Sequence, residues 1–208
     1  MNAVSAGNDL IQLMKDRTSI RHFHPNATID ESEVKEILEI AGKAPSAWNL
    51  QHWHFVVFHS QKAKERLLPI AYNQSQIINS SVVIAVLGDL QANKKTDAVY
   101  DPLVQQGFMT TEVKQTLSNQ IDGAYQDQQF ARDSAFSNAS LAAMQLMLAA
   151  KAKDYDSCAI GGFNKEQFVK EFNISDRFIP IMLIAIGKAA KPAHKSNRLN
   201  LDELSTWL

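Results

Sequence analysis

Residues 131–152, ARDSAFSNASLAAMQLMLAAKA, restrict the possible folds more than any other segment of the chain. Most residues from Ala135 onward are apolar or small, and the second half of the segment has almost no polar face. A helix that is apolar on all sides has to be buried on all sides. In a chain of 208 residues, such a helix either runs through the middle of the domain or packs against a second subunit. Because its small residues allow close helix approach, we expect a homodimer.

Shorter apolar segments on both sides of this helix predict a mixed fold. Helices are predicted over residues 8–16, from residue 30 up to Pro45, and over residues 62–71 and 165–172. Strands are predicted over residues 54–58, 82–87, 156–160 and 180–187. Asp30 and Glu33 have the spacing of a capping box. Residues 89–129 are polar, with a weak helical pattern around 104–121, and we interpret them as a variable insertion or lid. The sequence therefore predicts one α+β domain over residues 1–208, with a small central sheet of about four strands surrounded by helices.

The charge balance and the N-terminal sequence restrict the class of partner. The chain has 21 Lys and Arg against 22 Asp and Glu, a formal net charge of −1. No excess of positive charge is available to neutralise a nucleic-acid backbone. Residues 1–10 lack the basic and apolar pattern of a signal peptide, and no stretch approaches the roughly 20 apolar residues that span a bilayer. We therefore expect a cytoplasmic protein that binds neither nucleic acid nor membrane.

The sequence also argues against a metal centre and against catalysis by a side chain. Cys158 is the only cysteine, which excludes an intrachain disulfide and a thiolate metal cluster. The pairs His22 with His24 and His52 with His54 have no Asp or Glu beside them as a third ligand. No nucleophile elbow, zinc-binding His-Glu-x-x-His motif or phosphate-binding loop is present. We therefore expect a bound organic cofactor to supply the chemistry and the protein to supply orientation and electrostatics.

Three segments are suited to an anionic, aromatic cofactor, and each also has a purely structural explanation. Residues 17–21, RTSIR, carry two guanidinium groups that can bind a phosphate, although Arg17 could instead cap a helix C-terminus. Residues 44–53, APSAWNLQHW, combine amides and indoles that suit a ring system, or form a connection whose Trp53 packs in the core. Residues 159–163, AIGGF, contain paired glycines that let backbone N–H groups approach a ligand, or that simply turn the chain.

In their order along the chain, these segments resemble the FMN-dependent nitroreductase family, of the NAD(P)H-dependent, oxygen-insensitive type. DRTSIRHF, from residue 16, is similar to the family's phosphate-binding segment, and HKSNRL, from residue 194, resembles its second phosphate contact. AGKAPSAWNLQHWHFVVF, from residue 41, looks like the family's Ala-Pro-Ser, Asn, Gln-Pro-Trp loop, which reaches the cofactor of the second subunit. YNQSQIINSSVVIAV, from residue 72, and DYDSCAIGGFNKEQF, from residue 154, resemble its polar-edge loop and glycine turn. The resemblance implies a mostly antiparallel central sheet and an intertwined homodimer.

The resemblance also assigns FMN contacts to particular residues. It implies that the phosphate is held by Arg17, Thr18, Ser19, Arg21 and Arg198. It implies that the second subunit contributes Pro45, Ser46, Ala47 and Asn49. The polar edge of the ring would meet Asn73 or Gln76. The glycine turn would contribute Ile160, Gly161 and Gly162, with the backbone N–H of Gly161 at flavin N5.

The reaction that the resemblance implies is a two-step exchange in one pocket. Hydride passes from NADH or NADPH to flavin N5, and a nitro compound or quinone then takes the electrons. His52 stands where the family usually has Pro, Ala159 where Pro is common, and Gly161 where some members have Glu. Two alternatives stay open: another FMN reaction, such as dehalogenation, natural-product dehydrogenation or flavin breakdown, and a non-catalytic flavin-binding dimer.

Overall fold

The computed structural model describes the backbone from residue 3 and the side chains from residue 9, up to residue 208. Its centre is an antiparallel sheet of four strands in the order β1-β2-β4-β3. The strands are β1 (Trp53–Phe58), β2 (Val82–Asp89), β3 (Asp156–Ile160) and β4 (Phe178–Gly187). Every residue of β2 is buried, because this central strand is covered by helices on both faces. The predicted α+β fold and its mostly antiparallel sheet are confirmed.

Nine helices surround this sheet in the described part of the chain. They are α1 (Ala3–Asp16), α2 (Glu31–Ala41), α3 (Gln61–Ile70), α4 (Ser75–Asn79), α5 (Thr96–Gln105), α6 (Thr111–Ala124), α7 (Gln128–Ala152), α8 (Lys165–Glu171) and α9 (Leu201–Leu204). α2 begins with the predicted capping box of Asp30 and Glu33. Among the described residues, no helix combines the length and the hydropathy that crossing a bilayer requires.

The long helix α7 lies across one face of the sheet. Together with α2 it buries Ala139, Ala142 and Leu146 against β2 and β4, where these side chains have no exposed surface. On the opposite face of the sheet, α3 and α8 form a second core around Phe58, Leu67 and Phe168. In the described part of the chain, two apolar side chains on the other side of α7 are left exposed. Leu141 there is 47% exposed and Met144 is 40% exposed.

The prediction for residues 89–129 was wrong in its helix bounds. The weak pattern around 104–121 predicted one helix, but the chain forms α5 and α6 with a break between them. Gly107 lies in that break with φ of 75°, a left-handed conformation that ends the first helix at little cost. This helical hairpin packs around Leu50, Tyr100 and Ile121, in a small third core. The short helix α4 was not predicted either.

Candidate cofactor site

An anion pocket of about 310 Å³ is formed by two distant parts of the chain. Its lining residues are Arg17, Thr18, Ser19, Arg21, His194, Lys195, Ser196 and Arg198. Four of these side chains are Lys or Arg, three carry hydroxyl groups, and none is acidic. Guanidinium and hydroxyl donors around one space are the groups that bind a phosphate through charge-assisted hydrogen bonds. The structure thus brings the predicted Arg198 to the predicted 17–21 segment.

The 17–21 segment is held against β3 by its backbone. Ser19 forms a parallel bridge with Ser157, and the N–H of Ile20 donates to the carbonyl oxygen of Ser157 over 3.0 Å. The side chain of Ile20 is buried in the second core. Because side chains alternate along an extended segment, a buried Ile20 directs Ser19 and Arg21 away from the core, towards the pocket.

The predicted Asn73 and Gln76 lie in the segment between α3 and β2. Asn73 is exposed and has φ of 56°. Gln74 joins this segment to the glycine turn, because its Nε2 donates to the carbonyl oxygen of Gly162 over 2.8 Å. Gln76 is only 8% exposed, and its Nε2 donates to Oε1 of Gln74 over 3.0 Å. Gln74 therefore connects this segment to the glycine turn, and Asn73 is more accessible than Gln76.

The glycine turn leaves open space at the end of β3. Ile160 is the last residue of the strand, and its side chain is buried in the second core. Gly161 and Gly162 are exposed, and a Cβ built on either would meet no atom within 4 Å. The backbone of both residues is therefore accessible to a ligand without side-chain obstruction.

The structure does not bring the 45–49 loop to these segments within one chain. The loop leads into β1, whereas the glycine turn follows β3, and these two strands are the opposite edges of the sheet. Adjacent strands lie about 4.8 Å apart, so the two edges are separated by about 14 Å. The loop includes a short 3₁₀ turn at Ala47–Asn49, and Trp48, Asn49 and Gln51 have positive φ. Backbone held in such sparsely populated conformations is typical of functional loops.

Residues far away in the sequence fix the conformation of this loop. The N–H of Ala47 donates to Oδ1 of Asn138, and the hydroxyl of Tyr100 donates to the carbonyl oxygen of Trp48 over 2.9 Å. Lys95 donates to the carbonyl oxygen of Gln51 over 2.6 Å. Sequence reasoning missed Lys95, Tyr100 and Asn138. The one available signal was Asn138 itself, an amide in the middle of an apolar helix.

A buried ionic cluster lies behind the loop. Asp89 has no exposed surface, and the guanidinium of Arg177 donates to both of its oxygens, over 2.8 and 2.7 Å. Lys95 lies 2.9 Å from Oδ2 of the same carboxylate. Burial by itself would raise the pKa of Asp89, but hydrogen bonds from Arg177 and Lys95 outweigh it and hold that pKa below its ordinary value. The carboxylate thus stays ionised inside the fold.

His52 lies next to this cluster and is fully buried. Neither ring nitrogen has a hydrogen-bond partner among the described residues, and the ring stacks on that of Tyr125 with centroids 6.4 Å apart. The pKa of His52 is lowered to about 4. Burial is the main cause; the positive charge of Lys95 also lowers this pKa, and the negative charge of Asp89 raises it by a smaller amount. His52 is therefore neutral at neutral pH.

The protein is an antiparallel four-stranded α+β domain, and the pocket formed by residues 17–21 and 194–198 has the cationic and hydroxyl groups that can bind a phosphate. The chain belongs to the nitroreductase family, whose model matches residues 14–188. The resemblance seen in the sequence is therefore confirmed, and the chain is an oxidoreductase of this family.

Its relatives include proteins of related but distinct activities. The chain is 64% identical over 198 residues to YodC of Bacillus subtilis (strain 168), named as an NAD(P)H nitroreductase, covering 95% of this chain and 98% of that protein. It is 33% identical over 193 residues to the CLA biosynthesis enone reductase of Lactiplantibacillus plantarum, covering 90% of this chain and 89% of that protein. A crystal structure described as a nitroreductase in complex with FMN, from Exiguobacterium sibiricum, superposes with a TM-score of 0.90 at 39% identity, covering 96% and 97% of the two chains.

Proposed function

We propose that this chain is an FMN-dependent oxidoreductase that takes hydride from NADH or NADPH and reduces nitro compounds or quinones. The anion pocket is the observation that carries this proposal. Arg17, Ser19 and Arg21 meet Arg198 there, with no acidic side chain in the lining. The similar protein from Exiguobacterium sibiricum, which is described as a complex with FMN, supports FMN as the phosphorylated ligand.

The remaining residues of the site fit the ring of such a cofactor. The exposed backbone at Gly161 and Gly162 leaves room for a flat ligand, and Asn73 offers an accessible amide beside it. In the proposed complex, Thr18 adds a hydroxyl group to the phosphate contacts. Ile160, buried in the second core, fixes the position of the glycine turn that follows it. Gln76 orients the side chain of Gln74 beside the ring. When bound, FMN supplies a two-electron carrier that accepts hydride and passes electrons to an acceptor. The protein then has only to bind and orient both reactants, and no side chain need act as an acid or a base.

We further propose that the site is completed by a second copy of the chain. Pro45, Ser46, Ala47 and Asn49 of the partner subunit would close it, because in their own subunit they lie at the far edge of the sheet. Exposed apolar side chains offer a surface for this dimer on α1 and α7: Leu10, Ile11, Met14, Leu141 and Met144. Burial of this surface would be the main driving force for association.

We also propose enones as a class of acceptor, on the basis of one relative. The enone reductase to which this chain is 33% identical acts, by its name, on a conjugated carbonyl compound. Enones are therefore a second class of acceptor to assay beside nitroaromatics and quinones.

Comparing FMN with riboflavin, which lacks the phosphate, tests the cofactor assignment. Fluorescence titration of cofactor-free protein should give much tighter binding of FMN. Arg21→Ala should weaken FMN binding by about tenfold to a hundredfold, the value of a charge-assisted hydrogen bond, and should leave riboflavin binding unchanged. Lys191→Ala, an exposed tail lysine that does not line the pocket, is the matched control. Equal affinities for FMN and riboflavin in the unaltered protein would contradict the assignment.

A further inference from the structure

A second cavity, of about 430 Å³, lies at the open edge of β4. β3 ends at Ile160, opposite Leu183, whereas β4 extends to Phe178. In the described chain, this end of β4 therefore has no strand beside it on the β3 side. Ile179 and Pro180 of β4 line the cavity, together with residues of α7 and α8. It shares no lining residue with the anion pocket.

Two cations share one aromatic ring in this cavity. The guanidinium carbon of Arg132 lies 4.8 Å from the centroid of the Phe136 ring, and Nζ of Lys165 lies 5.5 Å from it. Within the described part of the chain, neither cation has a carboxylate within 4 Å. Arg177, by contrast, is paired with Asp89. Two neighbouring positive charges that form no close ion pair produce a local potential that attracts an anion.

The rest of the lining is mostly apolar and is fixed by the core. Phe136 and Ile179 pack against the core between α7 and the sheet, and Val169 and Pro180 complete the apolar surface. Glu166 is the one acidic residue in the lining, so two cations and one carboxylate leave a formal charge of +1. An apolar pocket with a few charged groups at one side is the usual form of a small-molecule site.

We propose that this cavity binds a small organic acid, with one carboxylate on an apolar body about the size of two fused rings. The carboxylate lies between Arg132 and Lys165, and the apolar body lies against Phe136, Val169 and Ile179. Because Glu166 offsets one of the two cations, a monoanion brings the formal charge of the site to zero, whereas a doubly charged phosphate leaves it at −1 in a mostly apolar cavity. The proposal does not depend on the cofactor assignment, because the two sites have no residue in common.

Calorimetric titration of the protein as purified tests this site, with 2-naphthoate as the acid and 2-naphthamide as its neutral analogue. The acid should bind more tightly than the amide. Arg132→Gln and Lys165→Gln should each weaken binding of the acid by about threefold to fivefold, the range for partly exposed ion pairs. Glu166→Gln should strengthen it by a similar factor. None of the three substitutions should change binding of the amide, and Lys170→Gln, on the exposed part of α8, should change neither.

Three results would overturn the proposal. Equal binding of the acid by the unaltered protein and by the Arg132 and Lys165 variants would mean that the acid binds elsewhere, such as in the anion pocket or at the cofactor. Equal affinity for acid and amide would remove the role of the two cations. Absence of binding would mean that the cavity is closed to ligands, for instance by a second copy of the chain.

Discussion

The backbone N–H of Ala47 donates to Oδ1 of Asn138 over 2.8 Å, and this hydrogen bond joins the 45–49 loop to the middle of α7. Asn138 is 7% exposed, and its Nδ2 donates in turn to the carbonyl oxygen of Ser134 over 2.7 Å. A buried amide is tolerated in an apolar helix only when its polar atoms are paired. The position of the loop is therefore set by a residue 91 positions away.

Replacement of Asn138 should destabilise the protein. Asn138→Ala leaves the N–H of Ala47 without its acceptor, and we expect the free energy of unfolding to fall by about 1–3 kcal/mol in urea titrations. Ser137→Ala, the exposed neighbour on the same helix, should change it by no more than about 0.5 kcal/mol. Equal denaturation midpoints for the two variants would show that the Asn138 contact contributes nothing.

The buried ion pair should matter more than an exposed one of the same type. Arg177→Met leaves the buried carboxylate of Asp89 with Lys95 alone, and we expect a loss of about 2–3 kcal/mol, less than for a fully broken buried pair. Arg66→Met breaks an exposed pair with Glu171 and should cost no more than about 1 kcal/mol. Thermal unfolding at pH 7 compares the two. A larger loss of stability in Arg66→Met than in Arg177→Met would contradict the stabilising role of the buried pair.

His52 should make stability depend on pH between about 6.5 and 4. Its folded pKa of about 4 lies below the ordinary 6.5, so the unfolded chain takes up a proton first as the pH falls. Stability present above pH 6.5 is then lost as the pH falls towards 4, by about 3 kcal/mol in total. Asp89, whose pKa is lowered, loses its own contribution only below its ordinary value of 3.8, so the two windows are separate.

His52→Phe tests that assignment, because it removes the titrating group and leaves an aromatic ring beside Tyr125. The free energy of unfolding should change less between pH 7 and pH 4.5 in this variant than in the unaltered protein. His24→Phe, at an exposed position, serves as the control and should retain the original pH dependence. If both variants follow the curve of the unaltered protein, buried His52 is not the source of that dependence.

The sequence predicted the parts of the molecule whose burial is regular. The unbroken apolar run of β2 and the apolar second half of α7 were recognisable because these elements are covered on most sides. Three of the residues that line the anion pocket, Arg17, Ser19 and Arg21, were recognisable because they are close together in the sequence. The α+β class was predicted from the order of the helices and strands, and the family was predicted from its resemblance to several segments of the sequence.

Other parts depend on contacts between distant residues, which no local pattern contains. The α5–α6 hairpin buries few side chains, and it does so partly against Leu50 from another part of the chain, so its helices were hard to separate. Lys95 and Tyr100 hold the 45–51 loop from 44 and 52 positions away. The cavity at Arg132 and Lys165 likewise exists only because β3 ends before β4 does.

Disruption of the proposed dimer should release the cofactor. Leu141→Glu places a charge on the exposed apolar side of α7, and we expect it to produce monomers that have lost most of their FMN. Val113→Glu is a matched control, since Val113 is 48% exposed on α6 and Leu141 is 47% exposed. Light scattering after gel filtration gives the mass, and absorbance gives the flavin content. A monomeric Leu141→Glu protein with one FMN per chain would rule out a shared site.

The most direct test of the proposed function is an anaerobic absorbance titration of the purified protein with NADH and with NADPH, followed by a quinone or a nitroaromatic compound. The purified protein should be yellow, should bleach with one or both nicotinamides, and should recover its colour when the acceptor is added. A colourless protein that cannot be reconstituted with FMN, or a yellow one that neither nicotinamide reduces, would contradict it.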